Sequence, residues 1–536
     1  MKFFRDLRIL ALALTACLTV AAAEPLPQIE MPEVVISGVE RATVIRAERL
    51  PTSLSSPEFA AFPGFSNERP AIQAQSVEII PSRPLPTDIP RFAFIGGRLG
   101  GGNLAALNGR LEAGVPFHAL SLGLHTQFDK LPRRIDAGAL HTSRWEFDAT
   151  HDMPLQSRAF YKLGYSEDGF RLVDVLGDLQ WKDFYGGVNM SPAISPVGVF
   201  AGNFGFDVWD ANVPGQRGGS EWQGSLNHRV NLRLVELESR LSCQYEAWDT
   251  DIDQLGVIGF SSLADFQALE SVEIRAGLAG YSGYTTRFGH QTGIDPRVET
   301  NWNLSRIERV SMEWMPGYEV FPTREIVHNY PMIVHNTGGS IAEDFARLQL
   351  TYLRRVGDTG QLTARLRYHD SPHYPLPSKE ESIGWALETT RLRWFQTKLG
   401  FSRQLLQDWS ASACLGFNSA KAWNPNLKQD APQIEPWFAE ATLLNDGQRL
   451  DAALRLKWRD GAAVGLLDDR TFPAHWESEV WAAYELGHSF SAFAQVSNLL
   501  NDSWWLIPGY DAPPFAALIG LGYGYAGNGR LLRKEF

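Results

Sequence analysis

The sequence predicts an all-β protein. It reads as a single closed antiparallel transmembrane barrel of 18 to 22 strands, preceded by an extended, proline-rich N-terminal arm. Three observations lead there. Apolar and polar residues alternate with period two over long segments. Short turn signals alternate with longer Gly-, Pro- and aromatic-rich stretches. An export leader opens the chain.

Residues 1–23 read as a signal peptide. Lys2, Arg5 and Arg8 form the basic start, Ile9 to Val20 the apolar core, and Ala21-Ala22-Ala23 the small residues before cleavage at Glu24. The alternative is a lipoprotein-type box, Leu14-Thr15-Ala16-Cys17, which would lipidate Cys17. Both readings export the chain.

Residues 24–90 are the arm. Prolines recur from Pro25 to Pro90 and defeat any continuous strand or helix. Two apolar runs interrupt them, Glu33-Val34-Val35-Ile36-Ser37-Gly38 and Val77-Glu78-Ile79-Ile80. Each has the composition of a peptide that adds a strand to another protein.

Residues 91–525 carry the barrel pattern. Leu237, Leu241, Cys243 and Tyr245 alternate with Glu236, Glu238, Arg240 and Gln244. Leu362 and Leu366 alternate with Thr363, Arg365 and Arg367, and Leu454, Leu456 and Trp458 with Arg455 and Lys457. A soluble sandwich would turn the apolar face inward; a membrane barrel turns it to lipid and the charges to a wet lumen. Segments of about ten residues or more, behind an export leader, favour the barrel. Lumen charges such as Arg365, Arg367, Arg455 and Lys457 are expected to pair with acids on neighbouring strands.

Tight turns are placed near Pro116, Pro154, Pro192–Pro196, Leu234, Ala264, Ser305, Asp358, Gln407, Asp446 and His488. Each opens a new hairpin after the first, so ten turns give 2 × (10 + 1) = 22 strands. The stretches 130–140, 213–220, 321–343 and 371–382 read as long loops at the opposite rim. Gly96–Gly102 reads as part of the first hairpin rather than a phosphate loop, since no helical pattern follows. Phe515–Tyr525 is the closing strand and the candidate signal for barrel-insertion machinery; 526–536 is a C-terminal tail.

The net charge is 49 − 61 = −12, which speaks against a nucleic-acid partner and would bias a wide pore toward cations. Cys243 and Cys414 fall on opposite faces of the wall and are expected as free thiols. No catalytic constellation, cofactor motif or metal site stands out, so no enzyme is expected. His369-Asp370 with His373, and His328 with His335, are read as polar loop residues.

The last strands resemble those of TonB-dependent outer-membrane receptors. Asn498, Leu499, Leu500, Asn501 and Asp502 end a strand, Pro508-Gly509 form a loop, and an aromatic-rich strand closes the barrel. Near the other end, Glu33, Val34, Val35, Ile36, Ser37 and Gly38 are similar to that family's TonB box, a peptide offered to a periplasmic energy-coupling protein. The resemblance implies transport of a bulky solute such as a metal chelate or glycan. It departs at the plug: only the proline-filled 39–90 separates box and barrel, so a compact plug is not expected. A plug-like partner, inward-folded loops or the arm itself must then close the lumen. Competing functions are a passive or export pore stoppered by the arm, and a surface-display or adhesion barrel.

Overall fold

The computed structural model describes residues 93–526 except 103–106, 118–119, 132–139, 154–156, 172–177, 196–197, 212–217, 233–234, 249–253, 287–288, 322–339, 345, 358, 381–383, 425–426, 448, 488, 508–509 and 512–513. The leader, the arm with its Glu33–Gly38 peptide, His328, His335 and the tail beyond Ala526 lie outside the described residues.

Among the described residues, 22 antiparallel strands form the ring of one sheet, each paired with its neighbours in sequence, and a short extra strand, Leu427–Asp430, extends the sheet beside Trp409–Asn424. The last strand, Ala516–Ala526, pairs with the first, Phe94–Gly102, with Leu521 opposite Leu99, and closes the ring. The strands run from seven residues at Glu308–Trp314 to 21 at Gly360–Glu380 and Gly384–Gln404. Closure leaves no open sheet edge in the wall. It also settles the choice between sandwich and barrel.

The wall has two chemically distinct faces. Leu366 lies opposite Leu350 and Thr397; Leu241 lies opposite Leu226 and Phe260. These side chains point outward, and Ile294 and Ile519 are each 70% exposed. A belt of exposed leucine, isoleucine and aromatic side chains around a closed sheet is stable only against lipid. Leu237, Leu362, Leu454 and Leu456 share that outer face by register. Cys243, on the outer face, and Cys414, whose partners across the sheet are Gly400 and Glu440 on the inner one, are both free.

One rim carries the tight reversals. Met153 donates to the Ser157 carbonyl at 2.9 Å, Leu232 to Val235 at 2.9 Å, and Gly447 to Leu450 at 3.0 Å. Gly357 and Gly487 turn the chain with φ of 63° and 95°, which glycine adopts without a Cβ clash. The turn expected near Ala264 is misplaced. Ala264 is mid-strand, between Leu237 and Ala276, and the chain reverses at Glu270–Ser271. The count of 22 is unaffected.

The loop expected over 371–382 is also corrected, because the strand continues to Glu380. A bulge between Ser371 and Tyr374 absorbs Pro372. Beyond it the ribbon is clamped from the side: Leu466 donates to the Pro377 carbonyl at 2.8 Å and accepts from the Lys379 amide at 3.0 Å. Pro375 and Pro377 survive here because this end of the ribbon is no longer the centre of a sheet.

Candidate functional site in the lumen

The connection between strands Glu308–Trp314 and Ala346–Val356 does not simply rise from the rim. It forms a further hairpin, Gly317–Phe321 paired with Ser340–Asp344, with Val320 opposite Ile341. The Met315 amide donates to the Arg347 carbonyl at 2.9 Å, so the hairpin continues the two wall strands before bending into the lumen.

Its seat is apolar. Leu255, Val257 and Tyr281 project from the inner face of strands Gln254–Leu269 and Val272–Thr285, opposite in parity to the outward Ile258, Phe260 and Leu278. Together with Ile341 they form a buried cluster against which Tyr318 and Val320 pack. Leu255 is only 1% exposed. Two in-strand glycines make the approach possible. A Cβ on Gly259 would collide with the Tyr318 hydroxyl, and one on Gly283 would stand 2.5 Å from Ile341 Cδ1. On the other side, Phe321 meets Tyr374 edge-on at 5.1 Å, and Tyr374 meets His369 at 5.8 Å. The hairpin therefore bridges two parts of the inner wall.

Below it the wall is charged. Arg229 pairs with Glu236 at 2.6 Å; Arg275 lies between Glu238 and Glu299, the latter at 3.5 Å. Gln349 donates to Glu313 at 3.1 Å and accepts from Arg367 at 2.9 Å. Arg297 lies against Gly317 at the base of the hairpin. A second network holds Arg459 between Glu477 at 2.7 Å and Glu435 at 3.5 Å, with His475 Nε2 3.5 Å from Glu477.

Of the four lumen cations expected to face acids on neighbouring strands, two do so. Lys457 stands between Glu440 and Glu477, and Arg455 opposite Glu479. Arg365, however, faces Thr351 and Lys398, and Arg367 faces Gln349 and Gln396. There the acid is displaced by one strand and reached through glutamine.

His369 is buried on the inner face and His373 is exposed within the bulge, so they do not converge. Among the described residues no group of three His, Cys, Asp or Glu side chains could hold a metal ion. The arrangement sets an inward hairpin on an apolar seat beside a wall that carries fixed charges of both signs.

Reading the sequence missed this hairpin, yet a signal was present. In Leu255-Gly256-Val257-Ile258-Gly259-Phe260 both faces are apolar or glycine. An inner face meant for water had no polar side chain there, so something else had to cover it.

No protein-family profile and no curated protein matches the chain. Solved structures do. The copper transporter OprC superposes with a TM-score of 0.65 at 13% identity, covering 81% of this chain and 80% of its own. The FrpB iron transporter from Neisseria meningitidis (F3-3 variant) gives 0.63 at 9%, covering 81% and 82%. The siderophore receptor PiuA from Acinetobacter baumannii gives 0.60 at 8%, covering 81% and 82%. At these identities the likeness establishes the fold.

Proposed function

We propose that this chain, whose barrel has the fold of TonB-dependent receptors, resides in the outer membrane of a Gram-negative-type cell. There it carries a bulky polar solute through its lumen. The observation that carries the reading is the inward hairpin seated against a wall otherwise lined by Arg, Glu and Gln. An adhesion barrel needs no such passage, whereas a solute-selective one needs both a constriction and polar contacts beside it. That the similar structures are named as copper, iron and siderophore transporters supports a metal chelate as the first solute class to test.

The reading extends to energy coupling. Glu33–Gly38 serves as the peptide that adds a strand to a periplasmic coupling protein, its β-branched core giving ladder hydrogen bonds. Residues 39–90 then lie between that peptide and the barrel, long enough as an extended chain to enter the lumen and help close it.

Val35→Pro removes a ladder donor from the peptide without touching the barrel. Coupled import is expected to fall to the background of a deletion strain while the protein still reaches the membrane. Import that survives in Val35→Pro and persists after collapse of the energy gradient identifies a passive pore instead. Deleting 39–90 is expected to raise conductance in planar bilayers and to sensitise cells to large antibiotics. If neither changes, the arm is a tether only.

A further inference from the structure

A cluster of charged side chains lies outside the lumen near the end of the barrel away from the tight turns. Asp370 faces Arg393, Arg393 faces Lys421 and Lys421 faces Asp430 across adjacent strands. One step further along, Arg391 faces Trp423, and Trp423 faces Lys428. These residues share parity with Leu366, Tyr368, Phe395 and Leu399, so they stand on the outer surface of the wall. Tyr368 and Phe395 are cross-strand partners, and Asp370 and Arg393 come two residues beyond them. Two residues advance about 7 Å along a strand, or about 5 Å in height at the usual tilt. The charges therefore begin one step above the Tyr368–Phe395 row of the lipid-facing belt and flank Trp423, at the level of lipid headgroups.

The cluster is organised and has an excess of positive charge. Asp370 accepts from Arg391 at 2.7 and 2.8 Å and from Arg393 at 3.1 Å, so one carboxylate serves two guanidinium groups. Lys421 pairs with Asp430. Lys428 Nζ lies 4.6 Å from the centroid of the Trp423 ring, and Arg393 Cζ lies 5.1 Å from the same ring. Four cations thus meet two carboxylates, and two of the cations share one indole. An anion placed between them removes the repulsion and adds acceptors to those that two carboxylates supply. The surrounding medium at that height offers one abundant anion, the phosphate of a lipid headgroup.

We propose that Arg391, Arg393, Lys421 and Lys428 form a binding site for the phosphate group of an outer-leaflet glycolipid, with Trp423 as its floor. The lipid's acyl chains then run down the belt past Phe395 and Leu399. Asp370 holds the two arginines in place and does not itself touch the phosphate.

The test uses the full-length protein in detergent, read by native mass spectrometry. The probes are lipid A carrying its phosphates and the same lipid enzymatically stripped of them. The phosphorylated form is expected to remain bound at activation energies that remove the stripped form. Lys421→Gln with Lys428→Gln is expected to weaken retention about thirtyfold, since each surface cation contributes on the order of one kcal/mol toward an anionic headgroup. Lys398→Gln, on the inner face, serves as the control and is expected to change nothing. Equal retention of both lipids, or unchanged retention in the double variant, overturns the site. So does displacement of the lipid by an equimolar amount of inorganic phosphate, which would make it a free-anion site. Because no transport is measured, failure of the transport reading leaves this result intact.

Discussion

The ring of Tyr318 lies 4.3 Å from that of Tyr281, centroid to centroid, with 37° between their planes. One ring belongs to the inward hairpin and the other to the barrel wall. This contact, with the Gly259 and Gly283 recess behind it, fixes how far the hairpin reaches into the passage.

Gly259→Val is therefore expected to push the hairpin off its seat without harming the wall, because valine favours a strand and the nearest atoms to a Cβ there belong to the Tyr318 and Ser242 side chains. Single-channel conductance should rise, and Tyr318→Ala should raise it in the same direction. The melting transition of the barrel should move little in either variant. Unchanged conductance in both would mean that the hairpin is not the constriction.

The two faces of the wall should respond differently to charge. Leu366→Arg places a guanidinium in lipid and is expected to cost about 2–4 kcal/mol if its depth is near the midplane. Thr363→Lys places a cation in the lumen and should cost little. Denaturant titration of the barrel refolded into liposomes reads both. Equal costs would refute the assignment of faces.

The seam between first and last strands depends on an aromatic ring. A Cβ on Gly100 would stand 2.8 Å from Phe493 Cζ, and Gly520 lies against the same ring. Phe493 is 7% exposed, so it covers backbone that no side chain shields. Phe493→Ala is expected to destabilise the closed ring by roughly 3 kcal/mol. It should lower the temperature at which the folded band shifts in unheated gel electrophoresis. A variant that migrates and melts like the parent would show that strand pairing alone holds the seam.

The loop 460–474 carries a pH-sensitive clasp. Burial opposes ionisation of Asp468, but hydrogen bonds from the Arg470 side chain (2.9 and 3.1 Å) and amide (3.1 Å) outweigh it. They hold the carboxyl below the usual carboxylate range. A depressed value stabilises the clasp above the unfolded value of about 3.9, and the gain is lost as pH falls through the folded value. Tryptic cleavage after Arg470 is thus expected to be slow from neutral pH down to about 5, a range set by that unfolded value. At pH 7 Asp468→Asn should accelerate it, losing roughly 1–3 kcal/mol of charge-assisted bonding. A variant cleaved as slowly as the parent would remove the clasp.

Much of the wall was legible because its rules are local. The reversals closed by Met153 with Ser157, Leu232 with Val235 and Ser305 with Glu308 fall where a strand pattern breaks and turn residues gather. Glu270–Ser271 was not legible because it has no glycine, proline or asparagine, and the alternation runs through it. The strand through Pro375 and Pro377 was hidden for the opposite reason. Proline argues against a strand; here pairing with Gly384–Thr390 makes one, braced on its free side by the distant Leu466 backbone. The inward hairpin was harder still. Its position depends on side chains missing at Gly259 and Gly283, some sixty and thirty-five residues earlier in the chain than Tyr318, and a missing side chain declares no partner.

The two 21-residue strands Gly360–Glu380 and Gly384–Gln404 have a consequence for the approach of a solute. The strands Phe94–Gly102 and Leu107–Phe117, of nine and eleven residues, start from the same rim of tight turns. A difference of ten to twelve residues is about 33–40 Å of strand, or about 23–28 Å in height at 45° of tilt. The parapet is therefore lopsided. A particle drifting over the cell surface meets a raised flank on one bearing and a low sill on another. Encounters from the side of the first hairpin are expected to be productive more often than those from the tall flank, and a crowded surface polymer would screen the two bearings unequally.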